Sequence, residues 1–196
     1  FITMLCWGSW GNTQKLAGKT WRYELFYWDY VIGMVLFALL IGLTMGSMGS
    51  QGRPFIEDLM QANGSGILSV LVGGVIFNAS NILLSASVSL AGMSVAFPLG
   101  VGLALVLGVI INYMGAPKGD PVLLFLGVAL IVVAIVCNGI ASGRMAKGGE
   151  QSKSNRKGMV LSVVAGVLMS FFYRFVAAAM DLDNFEQPTA GMLTPY

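Results

Sequence analysis

The sequence contains no histidine and only two cysteines among its 196 residues. The absence of histidine excludes histidine proton relays and most histidine-ligated metal sites. Cys6 and Cys137 both fall in apolar stretches, so we expect reduced packing residues rather than a disulfide or a metal pair. The motifs GxxxxGK[ST], GxSxG, CxxC and HExxH are absent too, so the sequence gives no support for an enzyme, an ATP-driven pump or a bound cofactor.

Charge is also scarce, at 10% of residues against about 25% in an average soluble domain. Hydrophobic residues make up 56%, and they come in runs rather than at the spacing of a core-facing helix. This pattern predicts an all-α, polytopic integral membrane protein.

Six segments are long and apolar enough, or nearly so, to cross about 30 Å of hydrocarbon. They are residues 1–16, 27–46, 66–90, 94–114, 121–141 and 158–180. The third and fourth are joined by the short uncharged sequence Ala91–Gly92–Met93, which predicts a tight hairpin. Pairs with GxxxG spacing, such as Gly42 with Gly46 and Gly139 with Gly143, favour close helix packing without a role in transport.

The charges of the connections alternate in sign. The first and fifth connections are basic, whereas acidic residues dominate the second connection and the segment after the sixth span; Lys118 and Asp120 make up the charge of the fourth. The positive-inside rule therefore places the first, third and fifth connections in the cytoplasm.

A polar, basic stretch at residues 143–157 follows five spans and reads as a flexible cytoplasmic linker. We predict a first five-helix repeat at residues 1–142, with a truncated first helix. The linker is followed at residues 158–196 by the first helix and outer loop of an inverted second repeat. Because the sequence begins at Phe1 inside an apolar run and stops at Thr194–Tyr196 as a new span starts, we expect a fragment of a longer membrane protein.

Two asparagines, Asn78 and Asn81, lie three residues apart in the uncharged stretch 73–113. This spacing places both on one helix face near the middle of the membrane. Their amides suit a neutral solute that carries carbonyl and N–H or hydroxyl groups. The alternative is a hydrogen bond that holds two helices together.

Three further residues are candidates for the wall of a binding cavity. Pro98 interrupts the fourth span and either lines a cavity or simply kinks the helix. Phe97 is suited to stacking on a planar ring or a sugar face. Trp10, in the sequence WGSWGNTQ, is either a pocket wall or an interfacial anchor.

Two charged residues near the membrane have competing interpretations. Asp29 either caps the second helix or couples transport to protons through a raised carboxylate pKa. Arg174 either faces the cavity as a cation, or snorkels or pairs with Asp181 or Asp183.

The order of several short motifs resembles the ureide permeases of the drug/metabolite transporter superfamily. These motifs are WGSW, YWDY, GGV with Asn81, GMSVA, Gly108 followed by Asn112–Tyr113, and LTPY at the end. The stretch GMSVAFPLGVGLALVLG also resembles bacterial glucose/ribose-type sugar uptake porters. The resemblance implies ten spans in two inverted repeats, proton-coupled import, and a cavity lined by Asn81 and by the first and fourth spans. Plant ureide permeases have a long central loop with a Walker-like stretch, whereas residues 143–157 are short and have none.

These observations favour a secondary transporter that imports a neutral polar metabolite, such as a ureide, nucleobase or sugar. Drug or metabolite efflux and a non-transporting membrane scaffold are the alternatives. The expected partners are a small-molecule substrate, a coupling ion with a proton favoured, the lipid bilayer, and a second copy in a homodimer, but no nucleic acid. The expected location is a bacterial inner membrane.

Overall fold

The computed structural model describes residues 2–48, 52–117, 119–145, 152–184 and 186–194. Phe1, Lys118, Pro195, Tyr196 and the centre of the predicted linker, residues 146–151, lie outside this part. The described residues form seven α-helices and a short 3-10 turn at Met45–Ser47. The helices are α1 (Ile2–Ala17), α2 (Tyr23–Leu43), α3 (Phe55–Gln61), α4 (Gly64–Ala91), α5 (Met93–Gly115), α6 (Pro121–Met145) and α7 (Ser152–Ala177).

Five helical segments of the described chain are long and apolar enough to cross a membrane. They are Tyr23–Ser47, Gly64–Ala91, Met93–Gly115, Pro121–Ala141 and Arg156–Ala177. The protein is therefore an all-α, multi-pass integral membrane protein, as the apolar runs predicted. Many large apolar side chains on these helices are exposed, which suits contact with lipid rather than water.

Several boundaries differ from those predicted. Because α2 begins at Tyr23, Asp29 is an exposed residue in its second turn, and the interpretation of Asp29 as a helix cap was wrong. The α5 helix continues through Pro98, so the predicted break does not form. Pro98 is the sixth residue of α5, where proline removes only one early hydrogen bond of the helix. Helix α6 reaches Met145 and α7 begins at Ser152, so helical turns occupy both ends of the predicted linker.

Cys6 and Cys137 are free thiols, but both are exposed rather than packed. The expectation that they fill the interior was therefore wrong. The location of a residue in an apolar stretch does not tell whether its side chain faces lipid or packs against protein.

The chain divides into two compact units. The first comprises Phe1–Tyr27 and Phe77–Phe171, and the second comprises Trp28–Ile76 and Phe172–Tyr196. The core of the first unit consists of Leu84, Val88, Ala96 and Ala165, which come from α4, α5 and α7.

Small residues allow the close approach of these helices. A Cβ added at Gly166 would lie 2.6 Å from the carbonyl oxygen of Gly100, and one added at Gly100 would lie 2.6 Å from Leu84 Cδ1. At Gly139, one of the residues with GxxxG spacing, an added Cβ would meet nothing within 4 Å. Gly100 and Gly166 are thus among the glycines that bring helices together in this unit, whereas Gly139 is not.

One residue, Gly92, joins α4 to α5, which confirms the predicted hairpin. Its φ of 79° lies in the left-handed region that glycine adopts without steric cost. The amide of Gly92 donates to the Val88 carbonyl at 3.0 Å, and its own carbonyl accepts from Ala96 at 3.0 Å. The turn therefore satisfies backbone groups at both helix ends.

In the second unit, Arg53 holds the segment after α7 against the α2–α3 connection. Its guanidinium donates to Asp58 Oδ1 at 2.9 Å and to the backbone oxygens of Pro188, Thr189 and Met192 at 2.9, 3.2 and 2.6 Å. Since Asp58 is buried and negative, this ion pair compensates a charge that would otherwise be costly. Asp58 of the acidic connection is therefore a buried structural residue and not only a solvated charge.

Asp58 also binds Thr194, through the backbone amide at 2.8 Å and the hydroxyl at 3.0 Å. Gln61 completes the network by accepting from the Gly191 amide at 2.6 Å and donating to the Met192 carbonyl at 2.9 Å. Four spanning helices separate the two segments along the chain, and an even number of crossings returns the chain to the same side. This agrees with the alternation of charge in the sequence.

Asp181 organises the segment that follows α7. The hydroxyl and then the backbone amide of Thr189 donate to its carboxylate, and the amides of Asn184 and Asp183 add to them. These hydrogen bonds to the charged form hold the pKa of Asp181 well below its usual value of 3.8.

We expect Gly92→Ala to destabilise the protein by about 1 kcal/mol, because an alanine is strained at positive φ. Gly108→Ala is the matched control, since Gly108 is helical and a Cβ there also meets nothing within 4 Å. Thermal unfolding in detergent should show a lower melting temperature for the first variant alone. Equal melting temperatures for the two variants would contradict the strain argument.

The lowered pKa of Asp181 predicts that the protein loses stability at acidic pH. The carboxylate stabilises the folded form at pH above 3.8, the unfolded value, and this contribution is lost as the pH falls from there toward the lower folded pKa. Between pH 5 and pH 3 the melting temperature should therefore fall less for Asp181→Asn than for the wild type. Glu57→Gln, at an exposed carboxylate, should follow the wild type. Parallel curves for all three proteins would refute this assignment.

Candidate functional site

Helices α1 and α4 of the first unit pack side by side and run in the same direction. Trp7 contacts Phe77 edge-on with ring centroids 6.4 Å apart, and two turns further along, Gln14 Nε2 donates to the Ser85 carbonyl at 2.9 Å. Phe77, Asn81 and Ser85 follow each other at four-residue intervals and therefore share a face of α4. Asn81 thus lies between the two contacts that join α4 to α1.

Asn81 is 1% exposed, so its amide is inside the protein. In the described part of the chain it makes one hydrogen bond, from Nδ2 to the carbonyl of Phe77 on its own helix at 3.1 Å. That bond stays within α4 and does not join two helices. Among the described residues, no hydrogen bond is seen to its carbonyl oxygen or from its second N–H.

Gln14 and Ser85 are 4% and 0% exposed, respectively. Gln14 Oε1 and Ser85 Oγ have no hydrogen-bond partner among the described residues, although both atoms are buried. An unpaired buried polar atom costs about 1–3 kcal/mol, so each of these two atoms carries an energetic penalty in the ligand-free protein.

Other buried serines of the same helix are satisfied and join α4 to α7. Ser80 Oγ donates to the Ala165 carbonyl at 2.6 Å, and Ser87 Oγ donates to the Gly158 carbonyl at 2.7 Å and lies 2.6 Å from Ser162 Oγ. Interhelical bonds of this kind are worth about 0.6 kcal/mol each in membranes. One face of α4 is therefore hydrogen-bonded to α7. On the face with Asn81 and Ser85, the Ser85 hydroxyl has no partner among the described residues.

Aromatic rings lie beside the second face. Trp10, one turn before Gln14 on α1, contacts Phe97 of α5 with ring centroids 5.9 Å apart. Both rings pack against the core around Leu84. Gly11 leaves room for this arrangement, because a Cβ there would lie 2.6 Å from Phe97 Cζ and 2.7 Å from Met93 Sδ. Pro98 follows Phe97 and is half-buried.

Asn78 differs from Asn81 in its partner. The hydroxyl of the buried Tyr27 donates to Asn78 Oδ1 at 3.0 Å and approaches the Asn78 carbonyl oxygen at 3.2 Å. Asn78 is an exposed residue, whereas Asn81 is buried. This geometry fits the interpretation of Asn78 as a residue that joins α4 to α2.

The structure thus collects five of the predicted site residues in the first unit, namely Trp10, Asn78, Asn81, Phe97 and Pro98. Asp29 and Arg174 belong to the second unit and are both exposed. Asp181, one of the expected partners of Arg174, is instead bound by Thr189 and Asn184.

The fully buried polar side chains of the first unit are uncharged. Its buried polar residues in the described chain are amides and serines, and the buried carboxylates Asp58 and Asp181 belong to the second unit. No cluster of three metal-ligating side chains occurs among the described residues. Such an arrangement can exchange hydrogen bonds with an uncharged solute, using both donors and acceptors.

The sequence profile of the ureide permease family matches residues 26–157. The chain belongs to this family. It is 28% identical over 142 residues to ureide permease 1 and 30% identical over 148 residues to ureide permease 2, both of Arabidopsis thaliana. It is also 28% identical over 141 residues to a probable ureide permease A3 of Vigna unguiculata.

These matches cover 71%, 73% and 69% of this chain, but 36%, 37% and 37% of the respective relatives. The chain therefore spans little more than a third of the length of the curated permeases it matches. No solved structure matches it. The family match includes α4 with Asn81 and Ser85, whereas Gln14 on α1 precedes it.

Gln14 and Ser85 are absent from the predicted site. Serine in a membrane helix is usually a packing residue, and Gln14 was expected near the end of the first span. The four-residue interval from Asn81 to Ser85 was a usable signal, since it places both on one face. The contact between Gln14 and Ser85 joins residues 71 positions apart, which no local pattern reveals.

We expect Tyr27→Phe to destabilise the protein by about 0.5–1.5 kcal/mol, because it removes the hydroxyl that donates to Asn78. Thermal unfolding measures the loss. Tyr173→Phe, at an exposed tyrosine, is the control and should leave the melting temperature unchanged. If both variants behave alike, the bond between α2 and α4 does not stabilise the fold.

Proposed function

We propose that this chain is part of a secondary active transporter, not an enzyme, that imports a small neutral polar metabolite. Ureides are the first substrate class to test, since the relatives are named ureide permeases, and nucleobases and sugars follow. Transport proceeds by alternating access and is coupled to an ion, with a proton favoured.

The observation that carries this proposal is the buried amide of Asn81. It lies between two contacts of α1 with α4, is 1% exposed, and keeps an acceptor and a donor uncommitted among the described residues. If the amide served to hold two helices together, its donor and acceptor would bond to a neighbouring helix, as the Ser80 hydroxyl does. The free groups of Asn81 match the N–H and C=O groups of an uncharged solute.

The other site residues have supporting roles in this proposal. Trp10 and Phe97 provide an aromatic wall on which a planar ring stacks, and Pro98 shapes the helix beside it. Asn78 contributes its amide from the α2-facing side. The second unit contributes Arg174 as a cation and Asp29 as the proton-coupling carboxylate.

The superfamily, the membrane and the oligomeric state that we propose follow from the resemblance to ureide permeases and sugar uptake porters. We place the protein in the drug/metabolite transporter superfamily, next to sugar uptake porters, and in a bacterial inner membrane, where two copies form a homodimer. Its two inverted repeats join at residues 143–157. Efflux and a non-transporting scaffold are the competing functions, and each makes a different prediction for flux.

The test is uptake of radiolabelled allantoin, uracil and glucose into proteoliposomes that contain the full-length protein. Uptake of at least one solute, stimulated by an inward proton gradient, is expected. Asn81→Ala should raise the KM about 5- to 30-fold, the effect of losing about 1–2 kcal/mol of binding. Ser80→Ala, at a neighbouring serine that bonds to α7, should lower the melting temperature and leave the KM unchanged.

A scaffold predicts that Asn81→Ala alters folding or association with no flux in any protein. Efflux predicts drug resistance on expression and no inward accumulation. If none of the three solutes enters the proteoliposomes, the import proposal is wrong.

A further inference from the structure

We propose that Gln14 and Ser85 form one end of the substrate site and bind the ureido edge of the solute, where an N–H lies beside a C=O. The inference rests on the proposed transport function and deepens it. It adds two residues to the site and names the group on the substrate that they recognise.

Gln14 provides the acceptor. Its Nε2 donates to the Ser85 carbonyl at 2.9 Å, which fixes the orientation of the amide. With the nitrogen fixed in this way, Oε1 is directed elsewhere, and it has no donor among the described residues although it is buried. A carbonyl oxygen held in one direction without a partner is prepared for an incoming N–H.

Ser85 provides the donor. Its backbone oxygen accepts from Gln14 and also from Ser89 Oγ at 3.2 Å, whereas its hydroxyl has no partner among the described residues. The side chain is 0% exposed, so bulk solvent does not reach the hydroxyl. This hydroxyl can turn to donate to a C=O beside the N–H that Gln14 accepts.

The spacing along α4 sets the size of the solute. Ser85 and Asn81 are one turn apart, or about 6 Å along the helix axis at 1.5 Å per residue. A five- or six-membered ring with an amide at one edge and a ureido group at the other spans that distance. The rings of Trp10 and Phe97 lie next to this face and suit a planar solute.

The unpaired atoms destabilise the ligand-free protein, and a solute that bonds to them removes this penalty. A hydroxyl placed for packing alone would bond to a neighbouring backbone, as Ser87 does with the Gly158 carbonyl at 2.7 Å. An unpaired Ser85 hydroxyl instead destabilises the ligand-free protein. Removing it should therefore make the empty protein more stable and the bound protein less so, which is the opposite of a structural serine.

The first experiment compares Ser85→Ala with Ser87→Ala in the full-length protein. Both substitutions remove a fully buried hydroxyl from the same helix, two residues apart. In the absence of solute, the melting temperature should stay equal or rise for Ser85→Ala and fall for Ser87→Ala. A similar fall for both variants means that the Ser85 hydroxyl has a structural partner, such as a buried water, and overturns the inference.

The second experiment measures the dissociation constant for allantoin by calorimetry. Ser85→Ala and Gln14→Met should each weaken binding about 5- to 30-fold, as expected for one lost hydrogen bond, whereas Ser87→Ala should not. The double variant should lose less than the sum of the two single losses, because both residues hold the same edge of the solute.

The outcomes separate the two proposals. If the wild type binds allantoin and both variants bind it equally well, the import function stands and the Gln14–Ser85 site is refuted. If the wild type binds glucose but not allantoin, the ureido edge is refuted. If the wild type binds and transports none of the solutes, the proposed function fails and this inference fails with it.

Discussion

Inside a bilayer, a polar atom that finds no partner in the protein finds none in its surroundings. This constraint explains how the hydroxyls of α4 are used. Ser80 and Ser87 bond to carbonyls of α7, and Ser162 of α7 bonds in turn to the Ala96 carbonyl of α5 at 3.2 Å. Among the described residues, Gln14 Oε1 and Ser85 Oγ differ from these serines because they are buried without a hydrogen-bond partner, and this difference underlies the site that we propose.

Hydropathy predicted the spanning helices because each must be apolar over its whole length, and Gly92 predicted the hairpin because the connection is so short. The sequence did not predict which helices pack against each other. Lipid-facing and packed residues are equally apolar, so Cys137 was misjudged. The spacing rule selected Gly139, while the close approach occurs at Gly166, where the neighbouring backbone oxygen comes from a different helix.

The sequence did not distinguish between two roles of acidic residues, namely the alternation of charge across the membrane and structural ion pairs. The acidic residues after α2 agreed with the alternation expected across a membrane, but Asp58 also accepts from Arg53 inside a network with the backbone of residues 188–194. The short helix α3, which presents Asp58, was not predicted, since seven residues between two spans carry little periodic signal. Membership in the ureide permease family adds the expectation of transport, and the neutral interior of the first unit is compatible with an uncharged cargo.

The contacts of α7 show what holds this helix against its neighbours. Ser87, Ser80 and Ser162 bond α7 to its neighbours at three levels along its length, and Gly166 lies against the backbone of α5. Helices on the two sides of residues 146–151 therefore form a single packed body in the first unit. The association of α7 with α4 and α5 therefore rests on side-chain and backbone contacts and not on chain connectivity alone.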